Sequence, residues 1–175
     1  MFKNEKKSKK IPVSGFCKNL FVNALAQYHV VLSITFDNLS NRKSSLEHLR
    51  KAAELGNSLA QNNLGTYYSK GDGVPRDYIE AIRWYKAAAV QGEPWGQANL
   101  GWAYYEGKGI EQSFELAAFW YKKAATQNHP ESQYNLGLMY LEGLGVEKNY
   151  EEAIKCFKKA SKLGVIEAIE ILEKL

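Results

Sequence analysis

The chain has 175 residues, 45% apolar and 24% charged, the proportions of a globular domain with a sizeable core. Its formal charge of +4 sits in the first ten residues, where Lys3, Lys6, Lys7, Lys9 and Lys10 accompany one acid, Glu5; beyond them 18 basic residues balance 18 acidic ones. That balance excludes a protein-wide basic field of the kind that steers nucleic acid, and no run of about 18 apolar residues offers a membrane span.

Residues 1–18 read as a basic, disordered tail. Ile11 to Val22, followed by Ala24-Leu25-Ala26, faintly echoes a secretory leader. Lys18 and Asn19 interrupt the apolar run that a leader needs, which favours a cytoplasmic protein and leaves secretion as the alternative. Cys17 and Cys156 lie far apart in unlike contexts, which is no disulfide framework and suits a reducing compartment. Residues 19–44 form a degenerate helical segment or linker. A first helix over 19–33 would place Tyr28 and Leu32 one period before Leu64 and Tyr68.

From residue 45 onward the chain answers itself at a shift of 36 residues, a period that signals a stacked array. Segment 45–56 matches the second helix of a partial unit, with Ala52 and Gly56 one period before Ala88 and Gly92. Complete units occupy 57–92, 93–128 and 129–164. Leu64-Gly65 returns as Leu100-Gly101 and Leu136-Gly137, and Tyr68 as Tyr104 and Tyr140. Trp84-Tyr85-Lys86 returns as Trp120-Tyr121-Lys122 and as Cys156-Phe157-Lys158.

Each unit reads as two helices. The first, near 58–70, places Ala60, Leu64 and Tyr68 on one stripe; the second, near 77–91, places Ala81, Ile82, Tyr85, Ala88 and Ala89 on one face. Between them a turn with two glycines supplies the positive φ that other residues resist. Asp77, Ser113 and Asn149 are N-caps of the second helices, and Glu80 and Glu152, three residues later, would complete capping boxes. Gly92, Asn128 and Gly164 end those helices. Gly65, Gly101 and Gly137 fall inside first helices, where glycine costs about 1 kcal/mol relative to alanine; close approach of the neighbouring second helix explains them. Residues 165–175 add a capping helix over 166–174, with Glu167, Glu170, Glu173 and Lys174 on its outer side. The fold class is therefore all-α, a solenoid of antiparallel helix pairs.

The order Ala-x-x-x-Leu-Gly-x-x-Tyr, Gly-x-Gly-Val, N-cap, Ala-x-x-Trp-Tyr-Lys-x-Ala, Gly closely resembles the Sel-one-like repeat, a relative of the tetratricopeptide repeat. Residues 57–164 carry the pattern, 45–56 and 165–175 carry it in part, and 1–44 hardly at all. In the last unit Cys156 stands for the tryptophan and Ser161 for the second alanine, and in the second unit Ile110 stands for the turn valine. The resemblance implies a right-handed α-α superhelix acting as a scaffold or adaptor that binds a protein or peptide. A secreted, penicillin-binding branch of the family carries a cysteine pair in each repeat, and this chain lacks those pairs.

In such a stack the first helices line the concave face, opposite their core stripe. The expected groove residues are Asn63 and Thr66 in the first unit, Trp95, Asn99, Trp102 and Tyr105 in the second, and Tyr134, Asn135 and Leu138 in the third, with Leu59, Asn62, Ser69, Ala98, Glu131 and Leu141 on the same stripes. Aromatic side chains outside the internal core point to a covering partner. The recurring Asn63, Asn99 and Asn135 bond either a ligand backbone or a neighbouring helix. Self-association through the groove or the ends is one alternative use, and the resemblance implies another, a secreted host-interaction effector of the same repeat family. Nothing in the sequence implies a catalytic centre, a small-molecule substrate, a cofactor or a metal. His29, His48 and His129 share no motif with a cysteine or a carboxylate pair, and His129, before Pro130, reads as a helix cap.

Overall fold

The computed structural model describes residues 15–38 and 42–175. The lysine-rich segment and the start of the leader-like stretch lie outside the described residues, as does the Cys17 side chain. Among the described residues there are nine helices and no strand: α1 (Gly15–Asn38), α2 (Arg42–Glu54), α3 (Ser58–Lys70), α4 (Tyr78–Val90), α5 (Pro94–Glu106), α6 (Phe114–Ala125), α7 (Pro130–Glu142), α8 (Tyr150–Lys162) and α9 (Ile166–Leu172). No helix is long and apolar enough to cross a membrane. Contacts are densest within the pairs α1–α2, α3–α4, α5–α6 and α7–α8, each pair leans on the next, and α3 touches α5 directly. That is a solenoid: each unit buries its apolar faces against its neighbours.

The capping residues show how the sequence sets these bounds. Asp77 Oδ1 accepts from the Ile79 and Glu80 N–H groups at 2.9 and 3.0 Å, Ser113 Oγ from Leu116 at 3.2 Å and Asn149 Oδ1 from Glu152 at 3.1 Å. The expected capping boxes do not form. The cap N–H groups of Asp77, Ser113 and Asn149 are already donated to the Tyr68, Tyr104 and Tyr140 carbonyls. Glu80 turns instead to Trp84 Nε1 at 2.9 Å, and Glu152 to Lys155 at 2.7 Å. Gly92, Asn128 and Gly164 close the second helices with φ of 89°, 61° and 92°. In the α7–α8 turn, Gly145 has φ +67°, and a Cβ there would lie 2.1 Å from the Phe114 carbonyl carbon. The turn therefore packs on the preceding unit's second helix.

The core follows the expected stripes: Ala60, Leu64, Ala81, Ile82, Tyr85, Ala88 and Ala89 are buried, as are their repeats Leu100, Tyr121 and Phe157. Trp84 is buried in the first core cluster, Trp120 half-buried against the next, and Cys156, in the tryptophan's place, buried. One repeated feature escaped the sequence reading. Buried Gln61, Gln97 and Gln133 each donate Nε2 to a carbonyl eight residues earlier, on Ala53, Ala89 and Ala125, and so tie each unit to the last.

The N-terminal pair departs from the period. Helix α1 begins at Gly15, inside the segment read as tail, and runs to Asn38. Its buried residues are Ala26, Val30 and Ser33, while Tyr28, expected in the core, is 57% exposed. Val30 joins Leu49, Ala52 and Leu64 in the first core cluster. The slip accompanies a longer first helix: α1 runs on to Asn38, through positions that in the later units belong to the seven-residue glycine turn, and its inward stripe moves by two positions. At the other end Glu167, Glu170 and Glu173 are exposed as expected, but so are Ile166 and Ile169.

Candidate functional site

The inner faces of α3, α5 and α7 stand side by side and enclose three connected depressions that share Trp102. The widest, about 620 Å³, lies between α3 and α5, with Leu59, Asn63, Thr66, Trp95, Asn99 and Trp102 in its wall. The second, about 230 Å³, lies between α5 and the start of α7, against Trp95, Asn99, His129 and Asn135. The third, about 180 Å³ and more enclosed, lies between the ends of α5 and α7, against Trp102, Tyr105, Tyr121 and Leu138. Eight of the nine expected groove residues thus line one continuous surface. Tyr134 does not: it tilts against Phe157 at 5.8 Å between ring centroids and packs with Val165 and Leu172 under α9. The next helix in the stack covers its position, as α5 covers Asn62.

The in-helix glycines shape this face as well as the core. A Cβ on Gly65 would sit 2.7 Å from the Tyr85 ring, and one on Gly101 would sit 2.9 Å from Tyr121. Without side chains there, the second-helix tyrosines reach past the first helices to the groove. The Tyr85 hydroxyl comes within 3.4 Å of Thr66 Oγ1 and 3.1 Å of Ser69 Oγ, both groove residues. Tyr121 bonds Asn135 on α7, and burial, followed by the neighbouring Tyr105, pushes its phenol well above the ordinary range. These two tyrosines are groove residues that the sequence reading assigned only to the core. The signal was present: a tyrosine facing a glycine needs a partner for its hydroxyl.

The recurring asparagines divide. Asn99 Nδ2 donates to Asn62 Oδ1 at 2.8 Å, and Asn62 Nδ2 donates to Asn63 Oδ1 at 3.2 Å, an amide ladder joining α5 to α3. Asn135 serves Tyr121. Asn99 and Asn135 therefore brace neighbouring helices while lying at the groove, and Asn63 is held within α3.

Charge and aromatic surface are unevenly spread. Trp95 is 50% exposed and meets His129 edge to face, with centroids 4.4 Å apart. Buried His129 caps α7, its Nδ1 accepting from the Ser132 N–H at 3.2 Å. Burial holds its pKa below the ordinary value, partly opposed by Glu131. Lys108, from the α5–α6 turn, places its ammonium 4.7 Å from the Trp102 ring centroid and 3.1 Å from Glu106 Oε2. Outside the groove, His29 Nδ1 and His48 Nδ1 meet at 3.0 Å between α1 and α2, a pairing that two residues 19 apart did not announce. Among the described residues no three His, Cys, Asp or Glu side chains gather as metal ligands would.

The family described as Sel1 repeat matches residues 39–57, 58–93, 96–129 and 130–165. A protective antigen of uropathogenic Escherichia coli displaying an SLR fold is similar at 33% identity and a TM-score of 0.80, over 89% of this chain and 34% of that one. A Sel1 repeat protein from Oxalobacter formigenes is similar at 35% identity and a TM-score of 0.74, over 80% of this chain and 56% of that one. The chain thus spans about a third and just over half of these two structures. No curated protein matches it.

Proposed function

This chain belongs to the Sel1 repeat family, and from that premise we propose that it is a non-catalytic scaffold holding an extended segment of a partner protein in the groove along α3, α5 and α7. One observation carries the reading. Trp95 and Trp102, at the centre of the array, line one continuous surface, Trp95 half exposed and Trp102 half-buried with one side against the core. Large aromatic side chains in such a place supply the anchors of protein interfaces. The braced amides of Asn63 and Asn99 add fixed polar groups at backbone height, and the rigid helices keep the ordering cost of binding low. Cys156 is a buried free thiol, which suits a reducing compartment, and we place the protein in the cytoplasm.

The test is affinity capture from the native cell's lysate with wild type and a Trp102→Ala/Tyr105→Ala variant, after both are shown to melt alike. Proteins retained by wild type and lost by the variant are the expected result. Equal retention would move the interaction off the groove. A second reading, self-association through the ends, draws on exposed apolar residues there: Phe21, Tyr28 and Ile34 on α1, Ile166 and Ile169 on α9. Light scattering across concentrations decides it, since end-to-end contacts give a mass that grows with concentration.

A further inference from the structure

We propose that the enclosed cavity between the ends of α5 and α7 is a subsite for one basic side chain, lysine or arginine, of the bound segment. Its stem would lie between Trp102, Leu138 and Leu144, and its charge would be read by Glu142. The proposal rests on the groove reading and adds the chemistry of the ligand.

Four features converge. The cavity has the form a long amphipathic side chain needs, an apolar sleeve of Trp102, Tyr105, Leu138, Met139 and Leu144 with carboxylates at its mouth. Those carboxylates, Glu106 and Glu142, are the last residues of α5 and α7, where the negative ends of two helix dipoles add to them. The matching place on α3 is Lys70, so the preference belongs to this half of the groove alone. The fourth feature is a cation already in place: the Lys108 ammonium sits over Trp102 and beside Glu106, showing that this corner holds positive charge against an aromatic face. Lys108 engages Glu106, whereas Glu142 is exposed and makes no hydrogen bond or ion pair among the described residues. An acidic ligand residue would meet repulsion from Glu142 and from the C-terminal ends of α5 and α7.

The experiment selects a displayed random-peptide library on the whole chain, on Glu142→Lys and on Trp102→Ala, with melting curves confirming that all three fold alike. Peptides from wild type are expected to share a lysine or arginine at one position, and replacing it by norleucine to weaken binding about tenfold, the scale of one desolvated charge pair. Selection on Glu142→Lys is expected to exchange that residue for aspartate or glutamate and leave the other positions alone. Trp102-dependent peptides without a basic position, or with the same basic position on Glu142→Lys, would overturn the subsite and leave the groove reading standing. Absence of any Trp102-dependent peptide would overturn both.

Discussion

The α1–α2 and α5–α6 pairs both press two antiparallel helices together, with different contents. In α5–α6, Gly101 opens the crossing, the Tyr121 ring enters it, and a seven-residue turn over 107–113 fixes the register. In α1–α2 the crossing holds Val30, Leu49 and the His29–His48 pair, the connection is 39–41, and the inward stripe has slipped by two residues. The difference separates two requirements. Apolar burial alone is enough to pair helices, since the hydrophobic effect is not directional. Holding a fixed period also needs a close helix approach that admits one ring and a turn of one length. Among the described residues, α3–α4 and α5–α6 have both and bring Tyr85 and Tyr121 to the groove, while α7–α8 has both with Phe157 in the tyrosine's place.

The severest way to break this comparison is Gly101→Leu. It forces a side chain into the space of the buried Tyr121 ring, and overpacking of this kind costs about 3 kcal/mol. In a domain of this size that lowers the melting temperature by about 2–4 °C per kcal/mol. The variant should also lose groove binding, because the displaced ring frees Asn135. An unchanged melting temperature would show that the glycines are incidental.

The slipped register gives the next test. Val30→Ala should cost about 1–2 kcal/mol in chemical denaturation, while Tyr28→Ala, at an exposed site, stays within about 0.5 kcal/mol. The opposite order would return α1 to the 36-residue period and remove the distinction between the two pairs.

A smaller effect compares the histidines. His129 caps α7 through an unprotonated Nδ1, and burial lowers its pKa. His29 is lowered by burial, by His48 and by Lys51. In both cases the unfolded chain takes the proton more readily. Their contribution is therefore complete above about pH 6.5, the unfolded value, and is lost as pH falls toward the lower folded values. Melting temperatures should drop between about pH 7 and pH 5. His129→Asn, a neutral capping residue, should flatten part of the slope, and adding His29→Gln should flatten more. A flat wild-type profile would contradict both assignments.

Most of the array was legible because its signals are local and repeated: Leu64 and Tyr68, the turn glycines, the cap at Asp77, each returning twice. The groove was legible by subtraction, as the stripe left over once the core is assigned. What stayed hidden depends on contacts between elements. Tyr121 looks like any core aromatic until Gly101 is seen to let it through. Tyr134 looks like a groove residue until α9 is placed beside it. The slip of α1 goes with its running on to Asn38, a length no periodicity encodes.

The gentlest test concerns the caps, and here a sequence motif and the structure make opposite predictions. Asn149 followed by Glu152 has the form of a capping box, and in a true box removing either side chain weakens the helix start comparably. In this fold the Asn149 N–H is donated to the Tyr140 carbonyl at 2.9 Å, which ties the end of the turn back to α7, and Glu152 spends its carboxylate on Lys155 at the surface. Asn149→Ala should therefore cost about 1 kcal/mol, and Glu152→Gln much less, as for an exposed ion pair. Equal losses in equilibrium denaturation would mean that the box forms in solution and competes with the tyrosine carbonyl. Unequal losses would mean that the turn, through this carbonyl-to-cap bond, holds the second helix against the first.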